Sequence, residues 1–83
     1  MVKKTVTVGC VVSPALLVQS ACMYDCNTTI KMGEKSINAK SLLGMMSLTI
    51  VQGDVVEVIT DGREETEASH QMIRSLTDSK KVG

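Results

Sequence analysis

Asn38-Ala39-Lys40-Ser41-Leu42-Leu43-Gly44-Met45-Met46-Ser47-Leu48 is the stretch on which the fold of this chain turns. Ser41 is a good helix N-cap, because its hydroxyl can accept from a free N–H of the first turn. Leu42 and Met46 follow at i, i+4 spacing, so the run predicts a short helix over 42–48. A two-turn helix cannot bury Leu42, Leu43, Met45, Met46 and Leu48 together. Part of the cluster must face solvent, and an exposed Met-rich patch is an adaptable binding surface.

On the N-terminal side of this helix, Thr28–Met32 and Lys35–Ala39 flank a Gly33-Glu34 turn and predict a hairpin. Ser13-Pro14 reads as an N-cap followed by Pro at the first helical position, opening a helix from Pro14 to about Tyr24 with Leu17, Ala21 and Tyr24 inward. Asp25-Cys26-Asn27 should end it. Residues 2–8 alternate Thr5 and Thr7 against Val6 and Val8, a half-buried strand. On the C-terminal side, Gln52-Gly53-Asp54 is a turn and Val55–Thr60 a strand with Val56, Val58 and Thr60 on one face, broken by Asp61-Gly62. A last helix spans about Glu64 to Leu76 on an Ala68–Met72–Leu76 stripe, with Glu64, Glu65 and Glu67 at its positive end and Arg74, Lys80 and Lys81 towards its negative end. The tail 78–83 has nothing to bury and should fray. The order βαββαβα suits an α+β open-faced sandwich, a four-stranded antiparallel sheet with three helices on one face, in a single domain over 1–83.

Composition narrows the function. The 83 residues contain no Phe or Trp and only Tyr24, so the core is aliphatic and there are no platforms for stacking nucleic-acid bases. Nine basic and nine acidic residues cancel, which leaves no phosphate-seeking field; nucleic acid is not an expected partner. No apolar run reaches spanning length and none reads as a signal peptide, so no membrane association is expected. Cys10, Cys22 and Cys26 make an odd count, which fits free thiols in a cytoplasmic protein better than a secreted disulfide framework. Neither an enzyme nor a cofactor or metal protein is indicated. Cys22 and Cys26 at i, i+4, with Cys10 or His70, make only a weak ligand set beside the paired C-x₂-C motifs of structural zinc.

The quoted run resembles the HPr family, the small phosphocarrier proteins of the bacterial sugar phosphotransferase system, whose pattern here is close to N-x-K-S-[IL]-[ML]-G-[VL]-M-S-L. Pro14-Ala15 and Leu17-Val18-Gln19-Ser20-Ala21 match on the first helix. The resemblance implies the HPr-like βαββαβα sandwich and partners among proteins of the phosphotransferase system. In the family, a loop of type G-[IL]-H-A-R-P-A presents a His that takes phosphate from enzyme I and passes it to sugar-specific components, and an Arg that pairs with the phosphate. Here the stretch is Gly9-Cys10-Val11-Val12-Ser13-Pro14-Ala15. Aligned on Pro14, Val11 stands for the His and Ser13 for the Arg; another gap placement puts Cys10 at the His position. Phosphotransfer through an imidazole needs that nucleophile and a cation beside it, and this loop has neither.

The resemblance also implies a role for Ser41. In Gram-positive members the matching serine is phosphorylated by an ATP-dependent kinase, and in Crh-like members the His is lost while the serine is kept, the protein serving as a corepressor of a transcription regulator. On that reading the degenerate loop Cys10, Val11, Val12 and Ser13 has no catalytic role, Ser41 is the phosphorylation site, and Lys40, Leu42, Leu43 and Met46 bind partners. Two alternatives stay open: a phosphocarrier using Cys10 as acceptor, against a structural thiol; and His70 as a relocated acceptor, against a solvated surface residue. Relatives include monomers and a dimer that exchanges its first strand, and a short loop after Val8 is compatible with either.

Overall fold

A computed structural model describes residues 1–10 and 12–77. Seven elements follow in the expected order: β1 (Val2–Thr7), α1 (Pro14–Cys22), β2 (Cys26–Met32), β3 (Lys35–Asn38), α2 (Leu42–Leu48), β4 (Val55–Gly62) and α3 (Glu65–Thr77). The strands form one antiparallel sheet in the order β1-β4-β2-β3. The register sets Val6 against Val56, Thr60 against Thr28 and Val58 against Ile30. Those side chains all point to one face and are buried there. The alternation read from β4 holds: Val56, Val58 and Thr60 are inward, while Val55 is exposed on the other face.

The helices cover the inward face. Leu17 and Ala21 of α1, Met45 and Leu48 of α2, and Ala68, Met72 and Leu76 of α3 enclose Val6, Val8, Ile30, Val56 and Val58 in an aliphatic core. α3 lies against β1 and β4, α1 against α3 and α2, and α2 against β3. The last turn of α3 closes on the chain leaving β1.

Boundaries differ from the sequence expectation where tertiary bonds outweigh local signals. α1 ends at Cys22 and not near Tyr24, because Cys26 N–H already donates to the Tyr24 carbonyl in a tight turn. β2 therefore starts at Cys26, and β4 runs on through Asp61 and Gly62, which pair with Asn27 and Cys26. Gly62 was expected to break the strand; instead it lets the two strands close. Its φ is +147° and an added Cβ would sit 2.8 Å from the Cys26 Cα. β3 stops at Asn38 and α3 spans 65–77, each within a residue of expectation. The tail 78–83, expected to fray, lies outside the described residues.

Candidate functional site

Two segments matter: the loop from Val8 to Ser13 with the start of α1, and the turn Asn38–Ser41 with α2. The first is fastened from its beginning. Val8 N–H donates to the Asp54 carbonyl at 2.8 Å, the Val8 carbonyl accepts from Gly53 N–H at 2.8 Å, and Gly9 N–H donates to the Leu76 carbonyl at 2.9 Å. Cys10 continues the pattern. Its side chain is buried, and its thiol donates to the carbonyls of Leu76 at 3.5 Å and Ser75 at 3.6 Å. Gly9 and Cys10 thus satisfy carbonyls that the last turn of α3 leaves free. Val11 lies outside the described residues. Val12 packs partly buried against the core. Ser13 takes the extended N-cap backbone, but its side chain makes no capping bond, and Pro14 begins the helix.

The second segment is built by short-range bonds. Ala39 N–H reaches the Thr28 carbonyl at 2.8 Å and holds the turn to β2. The Asn38 side chain accepts from Lys40 N–H at 2.9 Å, and the Asn38 carbonyl accepts from Ser41 N–H at 3.0 Å. This Asx-type turn delivers Ser41 to the N-cap of α2. Ser41 Oγ accepts from Gly44 N–H at 3.2 Å, as its residue type predicted. Gly44 is what lets α2 lie close to β3: a Cβ there would come within 2.8 Å of Ile37 Cγ2. Met45 and Leu48 are the inward pair.

The outward residues of α2 are Leu42 (46% exposed), Leu43 (80%) and Met46 (57%); on α1, Leu16 is 61% exposed. Sequence reasoning singled out the three on α2 and missed Leu16. The signal was there: Leu16 precedes inward Leu17, and Leu17 and Ala21 take up the helix's buried stripe. Lys40, read as a partner-binding residue, is half-buried, and its ammonium donates to the Tyr24 carbonyl just past the end of α1 at 3.1 Å.

The remaining titratable candidates do not converge. His70 is exposed on α3, Cys22 is exposed, and Cys26 is buried with its sulfur 3.6 Å from Thr28 Oγ1. Among the described residues no three His, Cys, Asp or Glu side chains are grouped to hold a metal, and no helix is long and apolar enough to cross a membrane.

This architecture and the motif around Ser41 are those of a known family, and a family model described as PTS HPr component phosphorylation site matches residues 4–78. The chain belongs to the HPr family. Among relatives, the HPr-like protein Crh of Halalkalibacterium halodurans is 41% identical over 59 residues, 71% of this chain and 70% of that protein. Phosphocarrier protein HPr of Xylella fastidiosa is also 41% identical, over 64 residues, 77% of this chain and 67% of that one. The crystal structure of HPr-C-His from Thermoanaerobacter tengcongensis superposes with a TM-score of 0.85 at 29% identity, covering 98% of this chain and 100% of that one. The open-faced sandwich expected from the sequence is therefore the HPr fold. Similarity to a Crh and to a phosphocarrier is equal in identity, so the choice between regulation and transfer falls to the site residues.

Proposed function

We propose that this HPr-family protein works by binding and regulation within the phosphotransferase system, with Ser41 as a phosphorylation switch beside the Leu42, Leu43 and Met46 docking patch, and not as a phosphohistidine carrier. One observation carries the reading. Residues 9–13 hold no imidazole and no cation, and their one thiol, Cys10, is buried and bonded to the carbonyls of α3. A phosphoryl acceptor must meet its donor in solution, and Cys10 is turned the other way. Ser41, by contrast, is exposed at the head of α2, where phosphate oxygens would replace Oγ as acceptors for the first-turn N–H groups and gain from the helix dipole. Lys40 supports that role through position only, since it holds the end of α1 in place under the turn.

Intact-mass measurement tests the reading in two reactions. With enzyme I and phosphoenolpyruvate the mass should not change; with a serine kinase of the HPr-targeting type and ATP it should rise by one phosphate, and not in Ser41→Ala. A phosphate gained in the first reaction and lost in Cys10→Ser would establish the carrier reading instead.

A further inference from the structure

Asp61-Gly62 is the one place in the chain where an aspartate precedes glycine, and neither Asn27 nor Asn38 does so. Glycine has no Cβ to shield its amide nitrogen, so that nitrogen can approach the carboxyl carbon of the preceding residue. The Asp61 side chain is 58% exposed, and the two residues are the last of β4, just ahead of the turn into α3. Several contacts hold this peptide in place. Asp61 and Gly62 pair with Asn27 and Cys26 of β2. Gly62 N–H donates to Glu65 Oε1 at 3.1 Å, and the chain's terminal ammonium lies 3.9 Å from Asp61 Oδ1. The turn itself is tied to the start of β2, with Glu64 N–H donating to the Asp25 carbonyl at 3.2 Å and Asp25 N–H to Glu64 Oε1 at 2.7 Å.

We infer that Asp61 is a site of isoaspartate formation, gated by release of the end of β4 from β2 and from Glu65. The Gly62 nitrogen bonds to Asp61 Cγ, and the amide hydrogen and the carboxyl hydroxyl leave as water, giving a cyclic imide. Water then opens the ring. When it breaks the bond between the Asp61 main-chain carbonyl carbon and the nitrogen, the chain runs on through Cβ and Cγ and a free α-carboxylate remains. No oxidant, reductant or cofactor is consumed, and the mass of the chain is unchanged. Ring closure needs the ψ angle of Asp61 to leave the extended range that strand pairing imposes. It also needs the Gly62 amide hydrogen, which Glu65 holds. The folded strand blocks both, but the end of a strand opens for far less than the global unfolding free energy. The product cannot close again in register, because it carries an extra main-chain carbon where Gly62 lies against Cys26, and even an added Cβ there would sit 2.8 Å from the Cys26 Cα. The modified chain loses the last pairs of β4 and gains a carboxylate ahead of Glu64 and Glu65. That free α-carboxylate is the group a methyl-transferring repair enzyme would esterify. This inference does not depend on Ser41 being phosphorylated or on the α2 patch.

Ageing of the intact protein at neutral pH over weeks tests it. Isoaspartate is read as labelled methyl transferred from S-adenosylmethionine by an isoaspartyl methyltransferase, and peptide mapping places it. Methyl acceptance should grow at Asp61 with no change of mass, and should be absent in Asp61→Glu, whose ring would be one atom larger. The folded protein should react more slowly than the chain in urea. Glu65→Ala, which frees the Gly62 N–H, should react roughly tenfold faster than wild type while circular dichroism shows the fold kept. Urea below the unfolding transition opens the same strand end without a substitution, and there too the wild-type rate should climb. No methyl acceptance at Asp61, acceptance only at Asn27 or Asn38 with the mass gain of deamidation, or one rate for folded and unfolded chain overturns the proposal. So does a rate in the folded chain that neither Glu65→Ala nor mild urea raises.

Discussion

The Cys10 thiol donates to the Leu76 carbonyl across 3.5 Å, in line with Gly9 N–H, which donates to the same carbonyl at 2.9 Å. Gly9 and Cys10 thus cap the end of α3. The three cysteines should consequently differ in access. Under native conditions iodoacetamide should label exposed Cys22 first, with Cys10 and Cys26 protected until the chain opens; peptide mass mapping over time reads the order. Labelling of Cys10 at the Cys22 rate would mean that the loop does not rest on α3.

Gly62 is the position where backbone conformation and close approach coincide. At φ +147°, with a Cβ placed 2.8 Å from Cys26 and 3.2 Å from the Asp25 carbonyl, Gly62→Ala should destabilise by about 2–3 kcal/mol, read from urea unfolding. Gly33 is the control. Its φ of +63° carries the strain of the left-handed region, but nothing lies within 4 Å of an added Cβ, so Gly33→Ala should cost only about 1 kcal/mol.

Ser69 is buried on α3 and its Oγ has no hydrogen-bond partner among the described residues. The carbonyl four residues back, which a helical serine ordinarily uses, belongs to Glu65 and already accepts from Thr60 Oγ1 at 2.8 Å. Ser69→Ala removes an unpaired polar group and raises helix propensity, so it should stabilise by about 1 kcal/mol. A loss of stability would show that the hydroxyl is satisfied in solution.

Glu65 titrates below its ordinary value, first because its carboxylate accepts from Gly62 N–H and then because the chain's terminal ammonium bonds to it. A carboxylate held low stabilises the fold fully above its ordinary value, near 4.5, and that contribution disappears as pH falls through the lower folded value. Glu65→Gln keeps an acceptor for Gly62 but does not titrate, so its unfolding free energy should fall less steeply than wild type below pH 4.5 and run parallel to it above.

Which parts of this were legible in the sequence follows from how local each signal is. The α2 helix and its Ser41 cap were readable because spacing and capping act within a few residues; that part of its apolar cluster must face solvent was readable too, while the division into inward Met45 and Leu48 and outward Leu42, Leu43 and Met46 came with the structure. The β4 alternation was readable for the same reason. What escaped were effects that depend on a neighbour distant in the chain. Gly62 looked like a strand breaker until Cys26 came against it. Lys40 read as a partner-binding residue, with no sign in the sequence that its ammonium would meet the Tyr24 carbonyl. Cys10 read as a thiol ahead of a helix start, while the structure turns it to the end of a different helix, Ser75 and Leu76, more than sixty residues on.

The α2 surface separates packing from recognition, and substitutions one residue apart should show it. Met45 is buried, so Met45→Ala should cost about 2–5 kcal/mol. Leu43 and Met46 lie mostly in solvent, so alanine at either position should leave stability within about 0.5 kcal/mol. Ser41→Ala removes the bond to Gly44 N–H and should cost about 1 kcal/mol, whereas Ser41→Asp keeps an acceptor at the N-cap and restores it. Phosphate at Ser41 adds charge close to −2, against −1 for aspartate, at the head of the helix that carries exposed Leu42, Leu43 and Met46. A partner that reads both charge and patch will therefore bind the phosphorylated chain best, Ser41→Asp less well and Ser41→Ala least. Leu43→Ala and Met46→Ala should weaken capture of that partner with no change in fold. Urea unfolding and capture on the immobilised protein, phosphorylated or not, measure the two effects separately. If Leu43→Ala and Met46→Ala capture the same proteins as wild type, and phosphorylation changes nothing, the residues 38–48 are retained for the packing of Met45 and Leu48 alone.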